Sequence, residues 1–329
     1  MKILIAPLNW GLGHATRCIP LIRRWLGRGD EVVLAGDGES LALLRRTFPH
    51  LPTRPLAPLH VRYSRGSSQV GAMAAMIPAL GLFCLRDRRA LRQLLAEEPF
   101  DIVVSDNRFA LYPFRRAGRG TRFVYITHQL RILLPRRWQW LAPVATALHR
   151  AFYGRYDEVW VPDYADPAES LAGELAHPAE VPATVTYIGP LSRFEHAEAT
   201  EAKTGYDVLA LLSGPEPQRS MLEAALVERY RDSGQRVLIV QGKPMGPMVP
   251  LSKGGITRVP HLPDERLLPL LLGTPHLIAR SGYTTVMDMH VLGLSGKVEW
   301  IPTPGQPEQE YIAEQTWNRA GTELRGEKG

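Results

Sequence analysis

The first 36 residues contain the pattern that most restricts the fold of this chain. An apolar run at residues 2–8 (KILIAPL) is followed by a glycine-rich turn at 9–13, a helical pattern over 14–26, and a second apolar run at 31–36 (EVVLAG). This succession of strand, glycine turn, helix and strand is typical of one unit of a doubly wound parallel sheet. The start of the chain therefore predicts an α/β fold.

The same alternation continues along the chain in two groups, separated by the polar, Ala-rich segment 195–204. Further strand-like runs occur at 100–106, 122–130, 157–163, 185–193, 206–214, 236–244, 256–263 and 276–282. A chain of 329 residues is also longer than most single cores. We therefore predict two Rossmann-like domains, at 1–194 and 206–329, joined by a linker at 195–205.

The glycine turn after the first run has three interpretations. Its GLGH sequence, with Asp37 after the second run, partly matches a dinucleotide-binding fingerprint, but Thr16 stands where the third glycine is needed. A purely structural turn is the second interpretation. In the third, His14 lies at the carboxyl end of a parallel strand, where clefts form in such sheets, and acts as a general base.

Two more polar residues end strand-like runs and are candidates for the same cleft. Asp106 ends the run at 100–106, where it either orients His14, acts as a base itself, or caps the following helix. His128 comes at the end of the run at 122–130 as a second candidate histidine, with a structural role as its alternative. The sequence leaves the choice between His14 and Asp106 open, with His14 preferred.

Residues 279–314 couple two polar loops to successive apolar segments. Ser281 and Gly282 form a turn before a helical pattern that opens at Thr284, and small residues at a helix N-terminus suit a phosphate. Asp288 lies one turn deeper on the same helical face, where its carboxylate can accept hydrogen bonds from sugar hydroxyls. The second loop, PTPGQPEQE, occupies 302–310. The two loops together predict the walls of a nucleotide-sugar site.

This stretch resembles the donor-binding half of GT-B glycosyltransferases. It is most similar to the family of the bacterial enzyme that adds N-acetylglucosamine to lipid I. The second half of the chain resembles the C-terminal domain of glycosyltransferase family 28. The family has a small-residue turn, an acidic residue on the helix and a Pro-rich loop ending in Gln; it usually has Glu where this chain has Asp288. The implied nucleotide-sugar contacts are Ser213, Gly214, Arg219, His261, Arg280, Ser281, Gly282, Thr284, Thr285, Asp288, Gln306, Glu308 and Gln309.

The resemblance implies two doubly wound domains facing a central cleft, with inverting transfer of a hexose from a UDP-linked donor to a hydroxyl acceptor. It places Gly11, Gly13, Asn107 and His128 on the acceptor side. No metal or other cofactor is expected, and the sequence has no carboxylate pair on a loop of the kind that holds Mg²⁺ under a diphosphate. A nucleotide-sugar 2-epimerase and a non-catalytic nucleotide-sugar-binding protein remain alternatives.

Charge and hydropathy bear on partners and location. Residues 1–190 carry 24 Lys and Arg against 16 Asp and Glu, a basic balance suited to an acidic acceptor or an anionic lipid surface. No nucleic-acid-binding motif accompanies it. The apolar run at 70–85 is shorter than the ~20 residues of a membrane span. Residues 131–156 mix Arg with Trp and Leu, typical either of an interfacial helix pair or of helices packed on the sheet.

Two cysteines make no disulfide framework, and the N-terminus lacks the features of a signal peptide. We therefore expect a cytoplasmic protein, with peripheral contact to the inner face of the cytoplasmic membrane left open by residues 131–156. The partners we expect are the nucleotide-sugar donor and a glycan or lipid-linked acceptor.

Overall fold

The structure, a computed structural model, describes residues 1–58, 70–112, 120–197, 204–246 and 249–320; for 70–77 and 319–320 it describes the backbone alone. Within these residues the chain forms one seven-stranded and one six-stranded sheet. The predicted α/β class with two Rossmann-like bodies is confirmed. The predicted linker at 195–205 lies partly outside the described residues, and the domain boundaries stay a prediction.

The first sheet is entirely parallel and has the strand order β3-β2-β1-β4-β5-β6-β7. Its central strands are buried apolar runs because helices cover both faces of a parallel sheet. The strands are β1 (Lys2–Pro7), β2 (Glu31–Gly36), β3 (Thr53–Pro55), β4 (Ile102–Asp106), β5 (Arg122–Ile126), β6 (Glu158–Val161) and β7 (Val185–Tyr187).

The second sheet has the order β10-β11-β9-β8-β12-β13 and is parallel apart from the antiparallel edge pair of β10 and β11. Its strands are β8 (Val208–Leu211), β9 (Val237–Val240), β10 (Leu251–Lys253), β11 (Ile256–Val259), β12 (His276–Ala279) and β13 (Val298–Trp300). The sequence patterns identified β8, β9, β11 and β12 but not the two short edge strands, β10 and β13.

The described α-helices are α1 (Gly13–Gly27), α2 (Gly38–Thr47), α3 (Val70–Glu97), α4 (Ala142–Tyr153), α5 (Gln218–Tyr230), α6 (Asp264–Gly273), α7 (Tyr283–Val291) and α8 (Pro307–Ala320). Short 3₁₀ helices occur at Arg136–Leu141, Gly173–Leu175 and Ser295–Lys297. The charge-free run at 70–85 is the first half of α3, which continues through Pro78. None of the helices in the described ranges is long and apolar enough to cross a membrane.

Strand order reverses once in each sheet, between β1 and β4 and between β8 and β12. Parallel α/β sheets open a crevice beyond the carboxyl ends of the strands at such a point, because the helices there diverge to opposite faces. The loops after β1 and β4 thus flank one crevice, and those after β8 and β12 flank the other. Both crevices open into the same cavity between the sheets.

Two glycines after β1 allow the loops of the two sheets to approach closely. Gly11 has φ +87°, and a Cβ there would lie 3.7 Å from the Cα of Gly214. A Cβ on Gly13 would lie 3.1 Å from Oγ1 of Thr284, whose hydroxyl donates a 3.0 Å hydrogen bond to the Gly13 carbonyl. The GLG turn is therefore where the first sheet contacts the second.

Candidate active site between the two sheets

A cavity of about 760 Å³ lies between the carboxyl ends of the two sheets. From the first sheet it is lined by the glycine turn, His14 and the residues that follow β4 and β5. From the second sheet it is lined by the residues that follow β8 and β12 and by the loop before α8. The volume is that of a site for a small organic molecule.

His14 and Asp106 meet at the first of these crevices. The register of β1 and β4 pairs Pro7 with Asp106, which brings the end of β4 beside the start of α1. His14 Nδ1 lies 2.7 Å from Asp106 Oδ1. The carboxylate is fully buried behind the cavity wall, whereas His14 lines the cavity. Asp106 thus contacts His14 as predicted, and its oxygens are engaged there.

Arg17, one helical turn after His14, completes this cluster and was not identified from the sequence. Its Nε donates to Asp106 Oδ2 at 2.5 Å, and its Nη2 donates to Oδ1 of the same carboxylate. A bidentate Arg–carboxylate pair is the strongest geometry for two buried charges. Arg17 is only 1% exposed, so the ion pair is part of the interior.

These contacts fix the proton on His14. Ionised Asp106 can only accept hydrogen bonds, and an arginine can only donate them. His14 Nδ1 therefore carries the hydrogen and donates it to Asp106, and the 3.0 Å approach of Arg17 Nη2 to Nδ1 is a contact without a shared proton. The lone pair of His14 lies on Nε2.

The titration of the pair follows from the same arrangement. Burial lowers the pKa of His14 below its ordinary value; Asp106 opposes this shift, and the positive charge of Arg17 adds to it. Burial alone would raise the pKa of Asp106, but Arg17 and His14 hold it below the ordinary value of a carboxyl. At neutral pH the site therefore holds a neutral imidazole beside an ionised carboxylate, the state required of a general base.

His128 joins the first sheet to the second. Its Nδ1 lies 3.1 Å from Arg17 Nη1 and its Nε2 lies 2.7 Å from Glu308 Oε1, in the first turn of α8. Its ring stacks on Tyr283 with the centroids 4.2 Å apart. The predicted acceptor-side histidine thus contacts a predicted donor-side carboxylate. Tyr283 was not singled out in the sequence because an aromatic residue at a helix start has many ordinary packing roles.

The turn before α7 and the loop before α8 lie together at the cavity, where the sequence predicts that the donor binds; we call this side of the cavity the donor wall. Gly282, Thr284 and Thr285 line the cavity at the N-terminus of α7. Ser281 does not line it; its hydroxyl donates to the Gln309 carbonyl at 2.7 Å. The Gln309 side chain accepts from Thr303 N–H at 2.9 Å, within the same loop. Ser281 and Gln309 therefore join the two predicted loops to each other.

Asp288 lies one turn into α7 and reaches the cavity wall. It is 2% exposed, and its two oxygens accept hydrogen bonds from Ser192 Oγ at 2.7 Å and from Arg193 Nε at 3.2 Å. Burial raises the pKa of its carboxyl above the ordinary value, against the influence of Arg193. The carboxylate thus holds the segment that follows β7, and its contact with a ribose stays a prediction.

Two predicted donor-side arginines lie away from the cavity. Arg219 donates to the Gly242 carbonyl at 2.8 Å and pairs with Glu216 and Glu39. Arg280 donates to the carbonyls of Gln218 and Pro302, at 3.1 and 2.8 Å. The sequence patterns suggested cationic side chains for a diphosphate, but the structure uses both to hold loops of the second sheet.

The other predicted donor residues, Ser213, Gly214, His261, Gln306 and Glu308, all line the cavity. Burial, together with the positive charges of Arg193 and Arg46, lowers the pKa of His261 to about 4, which leaves this imidazole neutral at physiological pH. These five residues therefore offer backbone groups, neutral side chains and the Glu308 carboxylate to the cavity.

On the acceptor side, Gly11, Gly13 and Asn107 line the cavity as predicted, next to a mainly apolar wall that the sequence analysis did not identify. This wall consists of Leu80, Phe109, Ile132, Leu133, Leu134 and Pro135. Leu134 and Pro135 also border a small surface hollow with Trp138 and Leu141. Among the described residues no group of three or more His, Cys, Asp or Glu side chains could hold a metal ion.

No family model matches the chain. A curated relative from Methanosarcina acetivorans, named an uncharacterized glycosyltransferase, is 25% identical over 95% of this chain and 80% of its own length. A relative from Methanosarcina mazei with the same name is 22% identical over 95% of this chain and 82% of its own length. Both likenesses extend across the two sheets.

Solved glycosyltransferase structures have the same fold. The kitacinnamycin glycosyltransferase matches with a TM-score of 0.60 at 17% identity, over 96% of this chain and 84% of that one. Arabidopsis thaliana UGT89C1, complexed with UDP-L-rhamnose, matches with a TM-score of 0.57 at 14% identity, over 97% and 82%. Streptomyces SsfS6, complexed with thymidine diphosphate, matches with a TM-score of 0.50 at 14% identity, over 98% and 95%.

These comparisons support the fold and the class of enzyme. The narrower resemblance to the lipid I family stays a prediction, since the relatives and structures found do not single it out. The chain has the GT-B fold, and the names of its relatives support an enzyme of the glycosyltransferase class.

Proposed function

We propose that this protein transfers a hexose, with inversion and without a metal ion, from a nucleoside-diphosphate sugar to a hydroxyl acceptor, and that His14 is the base. The observation that carries the proposal is that the His14–Asp106 pair and the N-terminus of α7 meet at one cavity, which both His14 and Gly282 line. A polarised imidazole on one wall and a helix N-terminus on the other are what a metal-free displacement at a sugar carbon needs.

His14 Nε2 accepts the proton of the acceptor hydroxyl, while Nδ1–H remains bonded to ionised Asp106. The acceptor oxygen forms a bond to the anomeric carbon as the bond to the diphosphate oxygen breaks, and the nucleoside diphosphate leaves with that electron pair. Attack from the face opposite the leaving group inverts the anomeric configuration.

The donor wall can stabilise a leaving diphosphate through backbone N–H groups and through the dipole of α7. The N-terminal N–H groups of α7, at Gly282 and Thr284, and the Ser213–Gly214 loop border the cavity where the diphosphate would lie. Glu308, Gln306 and Gln309 then face the sugar hydroxyls, and Asp288 the ribose. UDP is the first nucleotide we propose, with N-acetylglucosamine among the hexoses; the UDP-L-rhamnose complex of one structural neighbour is in keeping with it.

The acceptor wall is chiefly apolar, which favours a lipid-linked acceptor over a free glycan. Its apolar lining continues through Leu134 and Pro135 to the surface. There Trp140 is 72% exposed and Leu148 68%, beside the exposed Arg136 and Arg137. Exposed Trp and Leu with Arg are typical of an interfacial surface. We therefore propose peripheral contact with the inner face of the cytoplasmic membrane.

Thermal stabilisation by a panel of nucleoside diphosphates and their sugars tests the donor class first. A ligand that binds only the native state stabilises it by ~2.7 kcal/mol at a hundredfold excess over its dissociation constant. We expect a shift with UDP or a UDP-sugar that persists in EDTA and is lost in Asp288→Ala. Arg193 retains Asp264 as a partner in that variant, which limits the structural damage. Absence of a shift with every nucleotide would exclude the transferase.

The acceptor is tested by mass spectrometry of products from three hydroxyl acceptors: a polyprenyl-diphosphate-linked sugar in detergent, the same sugar without lipid, and water. Product with the lipid-linked acceptor alone supports the proposal. Free sugar released with no acceptor would instead indicate an epimerase or a hydrolase.

A further inference from the structure

Five side chains form one continuous chain of polar contacts from the donor wall to the base. Glu308 contacts His128 at 2.7 Å, and His128 contacts Arg17 at 3.1 Å. Arg17 holds Asp106 through two nitrogens, and Asp106 holds His14 at 2.7 Å. The chain crosses from the second sheet to the first, and Arg17, Asp106 and His128 are each at most 5% exposed.

Arginine can donate hydrogen bonds but cannot accept them, so the direction of every link is determined. Arg17 donates to His128 Nδ1, which must carry a lone pair; the hydrogen of neutral His128 is then on Nε2 and is donated to Glu308. On its other side Arg17 donates to Asp106, which accepts the Nδ1 hydrogen of His14. The two histidines therefore have opposite tautomers.

We propose that Arg17 is a positioning residue that couples the donor wall to the base: it fixes the tautomers of both histidines and holds Glu308, through His128, in place for the donor sugar. This inference rests on the proposed function for its kinetic consequence. Arg17 acts through its contacts with Asp106 and His128. Each of its three side-chain nitrogens has a contact in the chain.

The charge of Arg17 has a second effect, on the proton affinity of the base. The titratable groups around His14 are Arg17 and Cys18 on α1, Asp106 at the end of β4, His128 after β5, and Glu308 on α8. Of these, Arg17 is the positive charge closest to the imidazole, in contact with Nδ1 at 3.0 Å. Removing Arg17 takes away a positive charge that disfavours protonation of His14. The imidazolium form of His14 is then the remaining counterion of Asp106 in the chain, so His14 binds a proton more tightly.

The first experiment compares pH profiles of kcat/KM for wild type, Arg17→Met and Arg17→Lys. Met keeps the approximate length of the side chain without its charge, and Lys restores the charge without the bidentate geometry. We expect the acid limb in Arg17→Met to move upwards by roughly 1–2 pH units, as for loss of a charge at this distance. Arg17→Lys should return the acid limb most of the way to its wild-type position but should not restore the full rate.

Arg24→Met is the matched control, because Arg24 lies on the same helix but is 46% exposed and pairs with Glu195. Its acid limb should coincide with that of wild type. A lower rate in Arg17→Met with an unmoved acid limb would reduce Arg17 to a structural residue and overturn the proposal.

The second experiment reads the tautomers directly and needs no activity. Long-range ¹H–¹⁵N spectra of ¹⁵N-histidine-labelled wild-type protein, assigned with His14→Gln and His128→Gln, should show the hydrogen on Nδ1 of His14 and on Nε2 of His128. A hydrogen on Nδ1 of His128 would contradict the chain. If the tautomers are found but no donor binds, the proposed function fails while the arrangement of the chain stands.

His128→Gln and His128→Phe separate the coupling from simple packing. Gln offers an acceptor to Arg17 and a donor to Glu308, as the Nε2–H imidazole does, whereas Phe retains only the stacking on Tyr283. We expect Gln to keep the donor KM within about threefold and Phe to raise it at least tenfold, with kcat less affected. Equal KM values in the two variants would show that His128 does not position Glu308.

Discussion

The two points where strand order reverses, one in each sheet, differ in the chemical groups that they bring to the cavity. The one between β1 and β4 is built from buried charges: Arg17, Asp106 and His14 contact one another within 3 Å. The one between β8 and β12 is built from backbone: Gly282 and the N-terminus of α7 border the cavity, and Arg219 and Arg280 hold loops instead of lining it. This difference underlies the proposed division, with proton transfer on the first sheet and diphosphate binding on the second.

The largest expected effect comes from His14→Ala, which removes the base but leaves the second sheet intact. Loss of a general base typically costs 10²–10⁴ in rate, so transfer should fall to near background. Donor binding, measured as the thermal shift with the nucleotide identified in the panel, should remain near normal. Loss of the donor shift in this variant would place His14 on the donor wall and remove the division between the sheets.

The two buried aspartates sharpen the comparison because their titrations have opposite signs. Asp106 has a pKa below that of the unfolded chain, so its contribution to stability is present above a pH of about 4 and is lost as the pH falls through the native pKa. Asp288 has a raised native pKa, so its favourable contribution is present below about pH 4 and is lost as the pH rises through the native value.

Urea unfolding of Asp106→Asn and Asp288→Asn between pH 3 and 7 tests these signs. Asp106→Asn leaves Arg17 buried beside a neutral amide, which should cost about 3–5 kcal/mol at pH 7 and less at pH 3. Asp288→Asn should show the reverse trend, with its free energy of unfolding closest to that of wild type at pH 7. Parallel pH trends in the two variants would contradict the opposite shifts.

A residue of this site could be predicted from the sequence where a local pattern marks it. It could not be predicted where its role depends on a partner far away in the chain. The central strands are continuous apolar runs. Asp106 ends β4, and His14 follows the glycine turn after β1, so local pattern and the rule for strand ends brought these residues together. Arg17 gave no such signal. An arginine one turn into an amphipathic helix usually faces solvent. Arg17 is buried instead, because its charge is paired with the carboxylate of Asp106, 89 residues away.

Glu299 and Lys297 in the second sheet show the same limit of local patterns, because their charges keep residues 293–299 from matching the apolar run typical of a buried strand. Lys297 lies in a 3₁₀ helix before β13, and Glu299 on the strand is bonded to Arg229 at 2.6 Å and to His276 at 3.1 Å. Hydrogen bonding to His276, with Arg229 adding its charge, lowers the pKa of Glu299 to about 2. Partners from α5 and β12 therefore explain the charge of Glu299, which the local pattern could not.

Ser281→Ala tests the smallest part of the comparison, the join between the two loops of the donor wall. The hydroxyl donates to the Gln309 carbonyl and does not line the cavity, so the change removes one hydrogen bond and no ligand contact. We expect a loss of about 1 kcal/mol in the free energy of unfolding and a donor KM raised two- to threefold, with kcat unchanged. Thr285→Ser, which keeps a hydroxyl at the cavity, is the matched control and should leave stability and KM near wild type. A fall in kcat without a change in donor KM would mean that Ser281 reaches the chemistry after all, and the donor wall would then do more than hold the nucleotide.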